Sequence, residues 1–264
     1  MNIRWLIIIQ LFLGIILVGN SAWAQNGKQA REFYQLTIYH YNSVDQEIVL
    51  NQYFQHALLP ALHKMGIVKV GVFKNLANDT SVVKSIYVLI PGKSLEFLNK
   101  LAAKLNADKI YQSAGTEYIN ASYTKPPFTH IERILLQAFS MAPKLMMPAL
   151  KAIKSERVYE LRSYESASEK IFRNKVHMFN EGDEIGLFTK LNFNAIFYSE
   201  VIAGSKMPNL MYMTSFENMA DREAHWKSFG EHPFWEKLSS MPEYQNNVSH
   251  IDITFLRPLD YSDY

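Results

Sequence analysis

Two segments with the same strand-like pattern recur along the chain, and this repetition limits what it can fold into. Residues 33–39 read FYQLTIY and residues 158–164 read VYELRSY. Both alternate between two faces and are rich in β-formers, so each predicts a strand. A second matching pair follows later, HIERIL at residues 130–135 and HIDITF at residues 250–255. The sequence therefore predicts two copies of one unit.

The segments between these strands complete the unit. A long helical stretch follows each first strand, at residues 45–65 and 168–188, and Pro60 is expected to kink the first of them. Two more strands and a helix come next, with Ser94 and Ser168 as expected N-caps. These later elements are expected at residues 69–74, 84–90 and 94–105 in the first half, and at 194–201, 210–216, 220–229 and 234–238 in the second. The order βαββαβ is the ferredoxin-like pattern.

The first residues predict an export signal. Arg4 supplies a positive charge, and residues 5–18 are apolar except for one glutamine and one glycine. This run is shorter than the roughly 20 residues that a membrane-spanning helix needs. Ala22-Trp23-Ala24 fits a signal-peptidase site, so cleavage is expected before Gln25. An uncleaved membrane anchor is the alternative interpretation.

The predicted organisation follows from these assignments. We expect an exported protein, periplasmic or extracellular, that keeps no stable membrane anchor after cleavage and is a monomer or a weak oligomer. The expected divisions are a signal peptide at 1–24, a leader at 25–33, repeat 1 at 34–140, a linker at 141–157 and repeat 2 at 158–264.

Composition excludes several classes of function. The chain has no cysteine, which rules out disulfides, thiolate nucleophiles and thiolate metal sites. Its formal net charge is +2, and neither half has a basic cluster interleaved with aromatic residues, so nucleic acid is not an expected partner. No glycine-rich phosphate loop, G-x-S-x-G or H-E-x-x-H motif is present. No motif therefore implies a cofactor.

The second half resembles the NIPSNAP family. The residues that carry the resemblance are VYELRSY at 158–164, FENMADREAHWKSF at 216–229, HPFWEKL at 232–238 and FLRPL at 255–259. The resemblance covers residues 158–260 and is weaker across 34–140, where Gln35 and Thr37 replace the Glu and Arg of the motif. It implies an α+β fold in which two tandem ferredoxin-like units pack sheet to sheet as a dimeric α+β barrel, here formed within one chain.

The resemblance implies little about chemistry, because the family has no agreed enzymatic role. Relatives on the same fold include cofactor-independent monooxygenases, haem-degrading oxygenases and small isomerases. We therefore expect a small-molecule-binding or interaction module, with a cofactor-independent or haem-linked oxygenase as the alternative. Whether the chain is an enzyme stays open, and no catalytic residue is assigned.

Strand alternation defines the candidate binding residues. We expect the apolar face of each sheet to meet the helices and the polar face to look toward the other sheet. Because first and last strands are neighbours in a ferredoxin-like sheet, Arg162 is expected within reach of Asp252, or of Glu160 on its own strand. The polar side chains expected between the sheets are Gln35, Thr37, Tyr39, His130, Glu132, Glu160, Arg162, Tyr164, His250 and Asp252.

Three interpretations of this polar layer are open. It could be a salt-bridge and hydrogen-bond network that joins the two sheets. It could be a small-molecule pocket in which Arg162 anchors a carboxylate. It could also be a metal site using His130, His250 and the acidic residues. No short histidine motif supports the last, so the sequence specifies no metal site.

Overall fold

The computed structural model describes residues 30–264. The predicted signal peptide at residues 1–24, its cleavage site and most of the leader lie outside the described residues. Within residues 30–264, no helix is both long and apolar enough to cross a membrane.

The first repeat contains four strands and six short helices. The strands are β1 (Phe33–Tyr41), β2 (Gly71–Asn75), β3 (Lys84–Gly92) and β4 (His130–Ala138). The helices are α1 (Val44–Tyr53), α2 (Leu59–Lys64), α3 (Leu95–Asn99), α4 (Leu101–Ala107), α5 (Lys109–Ala114) and α6 (Thr116–Ile119). The last two helices were not anticipated from the sequence.

The second repeat has the same order with fewer helices. Its strands are β5 (Val158–Glu165), β6 (Phe197–Ala203), β7 (Asn209–Phe216) and β8 (His250–Pro258). Its helices are α7 (Glu169–Asn180), α8 (Glu184–Lys190), α9 (Met219–Gly230) and α10 (Pro233–Ser240).

The eight strands close into one antiparallel barrel in the order β1-β3-β2-β8-β5-β7-β6-β4. Within each repeat the first and last strands pair, β1 with β4 and β5 with β8, as the ferredoxin-like order requires. The repeats join at two edges, where β2 pairs with β8 and β4 pairs with β6. The α+β class and the intrachain barrel are thereby confirmed.

The first helical stretch differs from its prediction around Pro60. Ser43 caps α1 by accepting a hydrogen bond from the Gln46 backbone N–H. A π-helical turn, Phe54–Leu58, links α1 to α2, and Pro60 lies in the first turn of α2. Proline has no N–H to donate to an α-helical ladder, and the wider turn immediately before it accommodates this loss.

The core inside the barrel overturns the expected assignment of faces. Tyr34, Leu36 and Ile38 of β1 fill the space between the two sheets, whereas Tyr39 packs in a separate core beneath the helices of repeat 1. The expectation that the apolar face meets the helices is therefore wrong for β1 and for β5. An eight-stranded barrel has an interior just wide enough to be filled by side chains, which favours apolar residues there.

Candidate functional site

The ten candidate residues divide between two compartments. His130, Glu132, His250 and Asp252 lie on the barrel-facing side of β4 and β8, as predicted. The other six face the helices instead, namely Gln35, Thr37, Tyr39, Glu160, Arg162 and Tyr164.

The expected contact between Arg162 and Asp252 is therefore wrong. Arg162 lies opposite Ile253 in the ladder between β5 and β8, and Asp252 lies opposite Ser163. Successive side chains of a strand point to opposite faces, so Arg162 and Asp252 are on different sides of the sheet. The alternative contact is confirmed, because Arg162 Nε donates to Glu160 Oε1 at 2.6 Å.

Glu160 is the centre of a buried network beneath α9. Its side chain is fully buried and accepts hydrogen bonds from Arg222 Nε at 2.9 Å, from Arg222 Nη2 at 3.0 Å and from Trp226 Nε1 at 2.7 Å. Burial alone would raise the pKa of the carboxyl, but the Arg222 and Arg162 guanidiniums and the Trp226 N–H hold it below its ordinary value.

Arg162 contacts protein groups on several sides. Its guanidinium carbon lies 3.7 Å from the centre of the Trp226 ring, and Nη1 donates to the Tyr164 hydroxyl at 3.0 Å. Tyr164 in turn shares a hydrogen bond of 2.8 Å with the hydroxyl of Tyr212. The geometry fits the interpretation of a structural network, with the difference that it ties a helix to a sheet and does not join the two sheets.

The equivalent positions of the first repeat carry no charge. Gln35 Nε2 donates to Thr37 Oγ1 at 3.3 Å, and Thr37 is buried. Tyr39 packs against Phe54 with ring centres 4.9 Å apart, and burial raises the pKa of its hydroxyl to about 12. At these three positions the first repeat thus has uncharged side chains where the second has an ion pair.

Four of the candidates gather at one open end of the barrel, which we call the barrel mouth. Asp252 Oδ1 lies 3.1 Å from His250 Nε2, and Asp252 Oδ2 forms an ion pair with Lys206. The hydrogen bond from Lys206, together with that from His250, lowers the pKa of Asp252 below its ordinary value. Lys206 Nζ also lies 3.9 Å from Glu165 Oε1.

The opposite wall of the barrel mouth comes from repeat 1. The rings of His40 and His130 stack, with centres 4.2 Å apart and an angle of 13° between them. Burial, and then the neighbouring His130, lower the pKa of His40, which favours its neutral form. Glu132 Oε1 accepts a hydrogen bond of 2.7 Å from the Ser205 hydroxyl.

Among the described residues, one set of side chains has ligand atoms close enough together to hold a metal ion. Ligand atoms of Glu165, His250 and Asp252 lie within 4.8 Å of one another. The ammonium of Lys206 pairs with both acids, so a positive charge already occupies the space between them. The hypothetical metal site of His130 and His250 differs from this group, since His130 stacks on His40 across the mouth.

A cavity of about 240 Å³ opens between the two walls. Its apolar floor consists of Ile38, Ile134, Leu161, Val201 and Met211, and its polar rim includes His40, Glu132, Ser163, Lys206, Asn209 and Asp252. Asn209 Nδ2 donates to Ser163 Oγ at 2.9 Å, whereas its Oδ1 is buried without a hydrogen-bond partner. Residues from both repeats line this cavity, so it exists only in the closed barrel.

Sequence reasoning missed Lys206 and Asn209. Lys206 lies between β6 and β7, and Asn209 is the first residue of β7. The segment between these two strands contains no recognisable motif. The available signal was the alternation of β7, which places Asn209 on the same side as Met211 and Met213, both barrel residues.

Comparison with known proteins finds a family match in the second repeat and a shared fold over most of the chain. Residues 159–263 match the NIPSNAP family model. A putative monooxygenase from Lactobacillus acidophilus aligns over 86% of this chain and 94% of its own, with 11% identity and a TM-score of 0.58. A putative monooxygenase from Fusobacterium nucleatum aligns over 88% and 94%, with 6% identity and a TM-score of 0.55. At such identities the likeness shows the α+β barrel fold alone.

A NIPSNAP family protein from Agrobacterium tumefaciens is 20% identical over 40% of this chain and 97% of its own, with a TM-score of 0.36. No curated protein matches the chain.

Proposed function

We propose that this chain, whose residues 159–263 match the NIPSNAP family model, is a binding protein that takes a small molecule into its barrel mouth. The observation that carries the proposal is the cavity between the repeats, with an apolar floor and a rim of polar groups. Small-molecule sites combine these two features, because apolar walls supply affinity and a few polar groups fix orientation.

The carboxylate of Glu132 supports this proposal. Glu132 lines the cavity, and among the described residues the Ser205 hydroxyl is the one hydrogen-bond donor that reaches its carboxylate. The remaining lone pairs of this carboxylate can accept from a ligand, which gives the cavity a preference for ligands with an N–H or O–H group.

The volume of the cavity sets the size of the ligand. Sites for drug-sized molecules start at roughly 300 Å³. The barrel mouth, at about 240 Å³, is slightly smaller and suits a compact molecule with one ring or a short chain.

Blocking the cavity tests the proposal. Thr254 lines it from β8, and Thr254→Trp would fill the space without removing a charged group. Thr116→Trp, on the exposed surface of α6, adds the same indole elsewhere and is the matched control. We expect fragments found by ligand-observed NMR to bind the parent and Thr116→Trp and to lose binding to Thr254→Trp. Binding that is equal in all three proteins would place the ligand elsewhere and contradict the proposal.

A cofactor-independent oxygenase is the second candidate function, and His40 is the observation that favours it. The lowered pKa of His40 keeps a base neutral at the edge of the cavity, where it could accept a proton from a bound substrate. Oxygen uptake with a hydroquinone probe is the test. Uptake that His40→Gln abolishes would support this function, and absence of uptake in the parent would oppose it.

The haem-linked version of this alternative lacks a histidine axial ligand in the roomier cavities. Two larger cavities, of about 490 and 640 Å³, have no histidine in their linings. The barrel mouth has His40 but is the smallest of the three. A Soret band in the visible spectrum of the purified protein would support the haem-linked version, and its absence would oppose it.

We also propose that the protein is exported. Support comes from the charged start, the short apolar run and the Ala22-Trp23-Ala24 site. Intact-mass measurement of protein recovered from the cell envelope or the medium should give a chain that starts at Gln25. A mass equal to the full chain would contradict cleavage.

A further inference from the structure

The charges around the barrel mouth select the chemical class of its ligand. We propose that the ligand is an organic cation, a primary ammonium group attached to a compact apolar body. This inference rests on the proposed function. The sequence alone pointed to the opposite class, a carboxylate held by Arg162, but Arg162 faces the helices and donates to Glu160 and Tyr164.

Negative charge is in excess around the cavity. Glu132 and Asp252 line it, Glu165 lies next to Lys206, and Lys206 is the one ammonium in this group. With the histidines counted as neutral, three carboxylates face one cation. The net charge at the barrel mouth therefore favours cations over anions, and this preference weakens with added salt because Lys206 and Asp252 are partly exposed to solvent.

Lys206 is poorly placed to bind an anionic ligand. Its ammonium already pairs with Asp252 and lies near Glu165, and these acids raise the pKa of Lys206. An anion would have to displace a carboxylate of the protein itself. The lowered pKa of His40 means that this ring adds no positive charge at neutral pH.

The carboxylate of Glu132 is available to an ammonium group. Glu132 lines the cavity, its Oε1 accepts from Ser205, and among the described residues no other hydrogen bond reaches this carboxylate. An ammonium has three N–H donors and no acceptor, which matches a site whose unused polar atoms are acceptors.

The rest of the cavity suits an apolar body. Leu161, Val201 and Met211 form part of a floor that is closed to solvent by the barrel core. Tyr87 lines the same cavity and adds an aromatic ring, which stabilises a nearby cation when its face is presented. A one-ring amine would place its ring on this floor and its charge at the rim.

Three probes of the same shape test the inference. Phenethylammonium, 2-phenylethanol and 3-phenylpropanoate differ chiefly in the charge of their polar end, and their affinities for the full chain can be measured by calorimetry at pH 7. We expect the ammonium to bind about tenfold or more tightly than the alcohol, since hydrogen bonds to charged groups are the stronger ones. The carboxylate should bind most weakly.

Two variants should shift the ammonium affinity in opposite directions. Glu132→Gln keeps the shape but removes a negative charge, and should weaken ammonium binding about tenfold while leaving the alcohol unchanged. Lys206→Met removes the competing cation and should strengthen ammonium binding. Glu96→Gln, on the exposed side of α3, is the matched control and should change neither.

The outcomes separate this inference from the proposed function. If the alcohol or the carboxylate binds as tightly as the ammonium and Thr254→Trp blocks it, the cavity is a binding site and the cation assignment is overturned. If no probe binds the parent, the cation assignment is overturned, and the fragment screen with Thr254→Trp decides the proposed function separately. Ammonium binding that Glu132→Gln and Lys206→Met leave unchanged would also overturn the cation assignment.

Discussion

The indole Nε1 of Trp226 donates to Oε2 of Glu160 across 2.7 Å, and this hydrogen bond ties α9 to the first strand of the second repeat. The same indole ring lies under the guanidinium of Arg162. One aromatic side chain thus holds both members of the Glu160–Arg162 pair.

Glu160→Gln should lower the free energy of unfolding by about 3 to 5 kcal/mol, the range for breaking a buried ion pair from one side. The reason is that Arg162 and Arg222 would lose their shared carboxylate in a site where Glu160 is fully buried. Urea denaturation at pH 7 measures the change. Glu169→Gln, which breaks an exposed pair with Arg173, is the control and should cost under about 1 kcal/mol. Equal losses in the two variants would contradict the structural role of Glu160.

The stability of the parent should fall in acid, and Glu160 should account for part of the fall. Its pKa is lower in the folded chain than the ordinary value of 4.5, so the folded state binds the proton less readily than the unfolded state. Its stabilising contribution is complete above pH 4.5 and is lost as pH falls through the lowered folded pKa. Unfolding free energies between about pH 6 and pH 3 should therefore decline less steeply for Glu160→Gln than for the parent. Parallel curves would contradict this assignment.

A second buried ion pair, between Lys175 and Glu184, leads to a different prediction. Lys175 Nζ lies 2.8 Å from Glu184 Oε2, both side chains are almost fully buried, and the ammonium lies 4.7 Å from the centre of the Phe179 ring. Lys175→Met alone leaves the Glu184 carboxylate uncompensated and should cost about 3 to 5 kcal/mol. The double variant Lys175→Met with Glu184→Leu removes both charges and should recover most of that loss. Thermal melts and urea denaturation curves measure the stability of the two variants. A double variant at least as unstable as Lys175→Met would contradict the expectation that the unpaired carboxylate causes the loss.

Residues 158–264 expressed alone should not be a well-behaved monomer. The fragment would expose the edges of β6 and β8, which pair with β4 and β2 in the full chain. It would also expose barrel residues such as Leu161 and Met213. We expect dimers that restore a barrel, or aggregates, in light scattering after size exclusion. A folded monomer would contradict the view that the repeats depend on each other.

The fold could be read from local patterns because those patterns are set by short-range physics. Alternation defines strands, and the order of elements then specifies a ferredoxin-like unit. The helix starts were predictable for the same reason. Ser94 Oγ accepts from the Phe97 N–H at 3.1 Å and Ser168 Oγ accepts from the Ile171 N–H at 3.3 Å, as expected of N-caps.

Which face of each sheet contacts the helices could not be predicted from local patterns in the same way. Alternation separates Glu160 and Arg162 from Leu161, but it does not say which set meets the helices. That depends on Arg222 and Trp226, which are about sixty residues away in sequence and supply the partners that make burial of Glu160 possible. Their spacing of four residues on α9 places them on one helix face and was the available signal.

The composition of the barrel mouth was unpredictable for a related reason. Glu132 belongs to repeat 1, whereas Lys206 and Asp252 belong to repeat 2. They come together only because β4 pairs with β6 and the barrel closes. Since the sequence analysis treated each sheet separately, it could identify Glu132 and Asp252 as candidates but not the lysine between them.

The central claim, that the barrel mouth is the binding site of this protein, is tested most directly by mapping where a ligand binds. The full chain is titrated with phenethylammonium, and its backbone amide chemical shifts are followed by NMR. The shifts should change most at residues of both repeats that line the cavity, namely Ile38, Leu161, Val201 and Met211. These changes should saturate together and disappear in Thr254→Trp. Saturating shifts confined to other cavities, such as the one lined by Met146 and Met147, would contradict this claim.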